Sequence, residues 1–205
     1  MNYFIQMLDR LKSRGVSPNG FLDVGAHFGE TNQLIRFVYP NKRVVSFEAN
    51  RHCEMELRAR GCEYVMCLLG KETKEHANLF INPDNPTSTG VSIYREKTDF
   101  FKNATTVDIP MVRLDDIVPV EANMDFLKMD VQGAEIDVME GSTKLMPTIK
   151  WIYLEVSFVN YNEGAPLFDD VYIYLRNLGY RIIDECDPTY LDNRLIQTNF
   201  LFERI

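Results

Sequence analysis

Apolar residues recur along this chain either at helical spacing or in short unbroken runs, and the alternation of the two predicts helices and strands in turn. Phe4, Met7, Leu8 and Leu11 stand at i, i+3, i+4 and i+7, so residues near 2–14 are expected to form an amphipathic helix ended by Gly15. That helix should pack across a sheet or over a ligand. Phe21, Leu22 and Val24 form a short apolar strand. A glycine turn follows, and Thr31, Leu34, Ile35 and Val38 then trace a helix closed by Pro40. Residues 43–47 read as a second strand, Asn50 as the cap of a helix reaching Gly61, and residues 64–69 as a third strand closed by Gly70. Residues 77–81 and 107–112 read as two extra strands within an insertion at 77–113. Between them lies a polar loop with Pro83, Pro86, Thr87, Ser88, Thr89 and Gly90, expected to be a mobile flap.

The second half repeats the logic of strand, glycine turn and helix. Residues 125–131 form a fourth strand, Ile136, Met139 and Leu145 give the apolar side of a helix stopped by Pro147, and residues 151–156 form a fifth strand. A helix over 167–178 carries Phe168, Val171, Tyr172, Leu175 and Leu178 at helical spacing and stops at Gly179. Residues 180–183 and 199–202 close the sheet as an antiparallel pair around a polar loop at 187–194. Strands alternating with helices predict a single α/β domain over residues 1–205.

Charge and cysteine usage narrow the partners. A net charge of -8 argues against broad contact with nucleic acid phosphates or an anionic membrane, and favours a small molecule or a neutral glycan. Cys53, Cys62, Cys67 and Cys186 contain no C-x-x-C pair, and the chain opens Met-Asn-Tyr-Phe without a basic, apolar leader. Reduced thiols in the cytoplasm are therefore expected. No apolar run approaches the roughly 20 residues of a membrane span. Oligomeric state stays open.

Candidate chemistry gathers at strand ends. Gly25 and Gly29 remove Cβ atoms where the backbone bends, and free N–H groups at the following helix start favour polar or anionic ligand groups. Glu48 ends the second strand about 20 residues beyond the glycine turn, where a βαβ unit sets an acid against ribose hydroxyls. Asp130 ends a central strand and Glu155 its neighbour, so the two carboxylates could share a substrate hydroxyl or a divalent cation. Two oxygen ligands do not make a convincing cation site, and no metal is assigned. Lys128 shares a strand face with Asp130 and joins the catalytic set, a salt bridge between them being the alternative. Glu135 reads as a helix-start charge, and Asp187-Pro188-Thr189-Tyr190 as a proline turn.

Three stretches carry a resemblance: residues 21–30, Val45-Ser46-Phe47-Glu48-Ala49-Asn50, and Lys128-Met129-Asp130-Val131-Gln132-Gly133-Ala134-Glu135. With Arg113-Leu114-Asp115-Asp116-Ile117 upstream of the third, they resemble the FkbM-type S-adenosylmethionine-dependent methyltransferases from about residue 20 onward. The family carries Asn where this chain has His27, and Pro where it has Ala49. The resemblance implies a Rossmann-like class I fold: a mostly parallel seven-stranded sheet with an antiparallel C-terminal strand and helices on both faces. It also implies transfer of a methyl group from S-adenosylmethionine to a hydroxyl, often on a glycan or a secondary metabolite. Asp23, Gly25, Ala26 and Gly29 would then surround the methionine part, with His27, Phe28 and Ala49 beside them, Glu48 on the ribose, and Leu69 and Gly70 near the adenine. Asp130, Glu155 and Lys128 would carry the chemistry. Two rivals remain. A dehydrogenase-like enzyme lacks support because G-x-G-x-x-G is missing, and a catalytically silent binding protein on the same fold is the other.

Overall fold

Alternate residues of the apolar runs point to opposite sides of a sheet, as a period-two backbone requires, and each side builds its own core. The computed structural model describes residues 3–205, so Asn2 of the expected first helix lies outside the described residues. The elements follow in the order α1 (Tyr3–Ser13), β1 (Gly20–Val24), α2 (Glu30–Val38), β2 (Arg43–Glu48), α3 (Glu54–Ala59), β3 (Glu63–Met66), β4 (Leu68–Leu69) and β5 (Lys74–Ile81). After them come β6 (Thr105–Val112), β7 (Phe126–Met129), α4 (Glu135–Glu140), β8 (Trp151–Ser157), α5 (Phe168–Asn177), β9 (Tyr180–Leu191) and β10 (Arg194–Arg204). A seven-stranded sheet runs β3-β2-β1-β7-β8-β10-β9, parallel from β3 to β8, with β10 antiparallel to both its neighbours. Val24, Phe47 and Leu154 face α4 and α5 through Val138, Met139 and Leu175. Phe21, Phe126 and Tyr153 face the other way, onto Met7 and Leu8 of α1 and Ile35 of α2. The first helix therefore packs across the sheet and not over a ligand.

Between β1 and β7 the strand order changes direction, and the crevice at such a switch point is where open α/β sheets bind ligands. Gly25 has φ 72°, and a Cβ there would stand 1.9 Å from the Asp130 carbonyl oxygen. Only a residue without a side chain lets the two strand ends close this far. Beneath the turn lies a buried ion pair. Asp23 and Lys128 are direct partners in the β1–β7 register, and Lys128 Nζ sits 3.0 Å from Asp23 Oδ1, within ion-pair range though off the hydrogen-bond axis. The same ammonium donates to the Gly25 carbonyl at 2.8 Å, and Ser46 Oγ stands 3.4 Å from Asp23 Oδ2. Burial opposes the charge on Lys128, yet Asp23, Asp130 and Glu48 outweigh it and hold its pKa above the ordinary value.

Three sequence expectations need correction. The third strand breaks at Cys67, whose N–H goes to the Glu48 carbonyl; Leu68 and Leu69 then join a separate three-stranded sheet, β4-β6-β5. The closing pair is far longer than expected. Asp192 and Asn193 both adopt positive φ and make a two-residue hairpin turn, so most of the supposed polar loop is strand. Asp187-Pro188-Thr189-Tyr190 lies inside β9; that strand forms the sheet edge, where proline is tolerated, and Asp187 takes φ 60° beside a register shift. Among the described residues no helix is long and apolar enough to cross a membrane.

Removing one member of a buried ion pair strands the other charge, at a cost of about 3–5 kcal/mol. Lys128→Met is expected to lower unfolding free energy by about that much in a urea titration, while Asp23→Leu with Lys128→Met recovers most of the loss. A single variant as stable as the parent would show that the pair does not support the fold.

Candidate active site

A cavity of about 690 Å³, partly open to solvent, lies at the switch point. Its floor comes from strand ends: Val24 at the end of β1 with Gly25 and His27 beyond it, Phe47 and Glu48 at the end of β2 with Ala49 and Asn50 beyond them, and Asp130, Val131 and Ala134 after β7. Leu68, Leu69 and Leu79 of the small sheet form one wall, and Ser88, Thr89, Val91, Ser92 and Ile93 cover it. These last residues belong to the expected flap.

Glu48 is only 8% exposed, and its carboxylate is held from both sides. Oε2 accepts the His27 N–H at 2.7 Å and Oε1 the Asn50 N–H at 2.7 Å. Burial raises the Glu48 pKa above the usual carboxylate value, with the two N–H groups pulling against it. His27 can point its N–H this way because it adopts φ 50°, a left-handed conformation uncommon for a residue with a side chain. The same two residues reach upward with their side chains. His27 Nε2 lies 2.8 Å from the Thr87 carbonyl, which can only accept, so this nitrogen carries the hydrogen; Asn50 Nδ2 donates to the Pro86 carbonyl at 2.7 Å. Farther along, the single Ser92 hydroxyl hydrogen is shared between the carbonyls of Gln132 at 2.9 Å and Val131 at 3.1 Å, and Tyr94 OH donates to Asp137.

Asp130 is exposed on the cavity side, whereas Glu155 borders a second, smaller cavity of about 360 Å³ with Gln132, Glu135, Ser157 and Gln197. One amide joins them: Gln132 Nε2 donates to Asp130 Oδ1 at 2.7 Å and to Glu155 Oε2 at 3.1 Å. Burial, with the charge of Asp130, pushes Glu155 up to about 8. Glu135 starts α4 as expected, but it is buried, accepts the N–H groups of Val131 and Gly133, and is pushed up by burial to about 7.

Gly25, His27, Glu48, Ala49, Leu69 and Asp130 thus meet at one cavity, and the rest of the expected set does not line it. Asp23 is fully buried against Lys128, and Lys128 pairs with Asp23 and not with Asp130, because strand register puts those two opposite each other. Ala26 is buried with its N–H on the Phe47 carbonyl, and the Phe28 ring packs on His27 at 3.9 Å. Gly29, with φ 84°, is needed for helix packing: a Cβ there would stand 2.7 Å from Cys62 Sγ. Gly70 sits against Met111. Sequence reasoning expected the flap that carries Ser88 and Thr89 but did not assign Asn50, Leu79, Gln132, Val91, Ser92 or Ile93 to a site; the apolar alternation of Val91 and Ile93 around Ser92 was the available signal. Among the described residues no three His, Cys, Asp or Glu side chains cluster to hold a metal ion.

The fold recurs in solved methyltransferases. An FkbM methyltransferase from Methylobacillus flagellatus aligns with a TM-score of 0.58 at 18% identity over 89% of this chain, which spans only 43% of that protein. Magnesium protoporphyrin IX methyltransferase from Synechocystis, solved with bound S-adenosylmethionine, gives 0.54 at 10% identity over 98% of this chain and 78% of its own. An rRNA methylase from Streptococcus thermophilus gives 0.54 at 10% identity over 100% and 98%. No curated protein matches the sequence significantly. The methyltransferase FkbM domain, however, matches residues 23–182, from the end of β1 into β9, and on that match the chain belongs to the FkbM methyltransferase family.

Proposed function

We propose that this chain transfers a methyl group from S-adenosylmethionine to a hydroxyl of a glycan or a small-molecule metabolite. The observation that carries the reading is a shared cavity: buried Glu48 and accessible Asp130 stand on it together, at the strand ends of a methyltransferase-family chain. Three features suit the donor. Each Glu48 oxygen accepts one backbone N–H and keeps lone-pair capacity for ribose hydroxyls. Phe47, Leu68, Leu69 and Leu79 offer apolar walls to a flat purine. Ser88 Oγ is buried on the cavity wall without a hydrogen-bond partner in the protein, an unmet polar atom that a ligand would satisfy.

Bound S-adenosylmethionine supplies a methyl group on a sulfonium, open to an oxygen lone pair. Asp130 orients the acceptor hydroxyl and takes its proton, since an alcohol is a poor nucleophile while protonated. Glu155 is the weaker candidate for base: it borders the second cavity and not the one that Asp130 lines, and burial with the charge of Asp130 raises its carboxyl above the usual range. Lys128 is committed to Asp23 and serves the scaffold. The net charge of -8 favours an uncharged acceptor over nucleic acid, and the likeness to the rRNA methylase, at 10% identity, is one of fold. Four free thiols fit a reducing compartment such as the cytoplasm.

Calorimetry should register S-adenosylhomocysteine binding to the parent, and Glu48→Ala should weaken it about tenfold to a hundredfold through loss of a charged acceptor worth about 1.5–3 kcal/mol. Unchanged affinity in both Glu48→Ala and Glu48→Gln would remove Glu48 from the site. A methyl-transfer screen over glycans and hydroxylated metabolites tests the chemistry. There, Asp130→Asn should bind S-adenosylhomocysteine within a few-fold of the parent yet lose roughly two orders of magnitude or more in turnover. Parental turnover would make Asp130 a bystander.

A further inference from the structure

Gln132 is held more tightly than a residue of the β7–α4 turn needs to be. Its backbone adopts φ 53°, a conformation that disfavours a long side chain, and Gly133 follows at φ 101°. Its carbonyl is gripped from two directions, by Ser92 Oγ of the flap and by Asn162 Nδ2 of the loop after β8, each at 2.9 Å. Backbone strain secured by two side chains fixes the Cα–Cβ direction from which the Gln132 side chain sets out, and its hydrogen bonds fix the amide. The amide points toward both carboxylates at once, Asp130 Oδ1 at 2.7 Å and Glu155 Oε2 at 3.1 Å. A single –NH2 has two hydrogens, and both are used.

We propose that Gln132 is a positioning residue: its amide ties Asp130 to Glu155, holding the Asp130 carboxylate aimed at the donor cavity while its second oxygen stays free for an acceptor hydroxyl. The proposal rests on the assignment of Asp130 as base. Without the tie, an exposed aspartate at a strand end would sample its rotamers and spend part of its time turned away from the cavity. An amide suits this position better than a cation. It donates to two acids while leaving the local charge alone, whereas a lysine or arginine would neutralise the group meant to accept a proton.

The tie also leaves a mark on Glu155. Facing that carboxyl are Asp130 from the end of β7, Glu135 from α4 and Asp187 from β9, all of which raise its pKa, with Tyr161 nearby. Against them stand the Gln132 N–H and, from β10, Gln197 Nε2 at 3.2 Å. The buried ammonium of Lys128, which neighbours Asp130, is already paired with Asp23. Gln132 is thus a donor that stabilises the charged form, and removing it must move the Glu155 midpoint upward.

Gln132→Asn is the informative variant. Asparagine tolerates the left-handed conformation better than glutamine, so the turn is kept, but its amide is one methylene too short to span both acids. In protein labelled with 13C-glutamate, with Glu155 identified by Glu155→Gln, the carboxyl titration of Glu155 should rise by about one unit in Gln132→Asn. An unmoved midpoint overturns the proposal. On an acceptor that the parent methylates, the same variant should lose about tenfold in turnover with S-adenosylhomocysteine affinity unchanged. Parental turnover beside a shifted midpoint would also overturn it, since the tie would then exist without positioning anything. Failure of the underlying reading looks different: parent and Asp130→Asn would turn over alike while the Glu155 titration still answered for the tie.

Discussion

One buried ammonium organises the central seam of this sheet. A charge in that position is costly, and Lys128 is tolerated because it meets Asp23 across the strands and two carbonyls of the turn above, those of Val24 and Gly25. Those carbonyls must point inward to reach it. The inward turn requires the left-handed backbone of Gly25, and the missing Cβ in turn admits the Asp130 carbonyl. His27 then presents its N–H to Glu48, and Asp130 arrives at the rim of the same cavity. Scaffold and site are linked through a single turn.

Much of this was legible in the sequence, and what was not depends on register and docking. Local periodicity marked the helices and the parallel strands because each needs only its own residues to declare a buried face. Asp23 and Lys128 looked like site residues for a sound reason, since charged groups in apolar strands need a partner. That they partner each other is a fact of cross-strand register, set by residues a hundred positions apart. The β9–β10 hairpin was underestimated because Pro188 reads as a break, and only its place at the sheet edge makes it harmless. The flap residues Ser88 and Val91 declare no cavity of their own; contact comes from where the segment lies.

The family resemblance mixed two kinds of residue. Glu48 and Asp130 came from matching stretches and do stand at the cavity. Asp115 came from another, Arg113-Leu114-Asp115-Asp116-Ile117, and closes the turn after α4 instead. Its carboxylate accepts the N–H groups of Lys144 and Leu145, bonds Thr143 and pairs with Arg113. Sequence likeness does not distinguish a residue that touches ligand from one that anchors the chain beneath it. Place does: Glu48, like Asp115, accepts two backbone N–H groups, but it also lines the cavity.

His27 and Asn50 bind downward and upward at once, their N–H groups on Glu48 and their side chains on two consecutive carbonyls of the flap, Thr87 and Pro86. A ligand beneath the flap cannot shift the Glu48 carboxylate without disturbing the residues that fasten its cover. Were the proposed donor to bind beneath it, entry and exit would each require the His27 and Asn50 contacts with the flap to part.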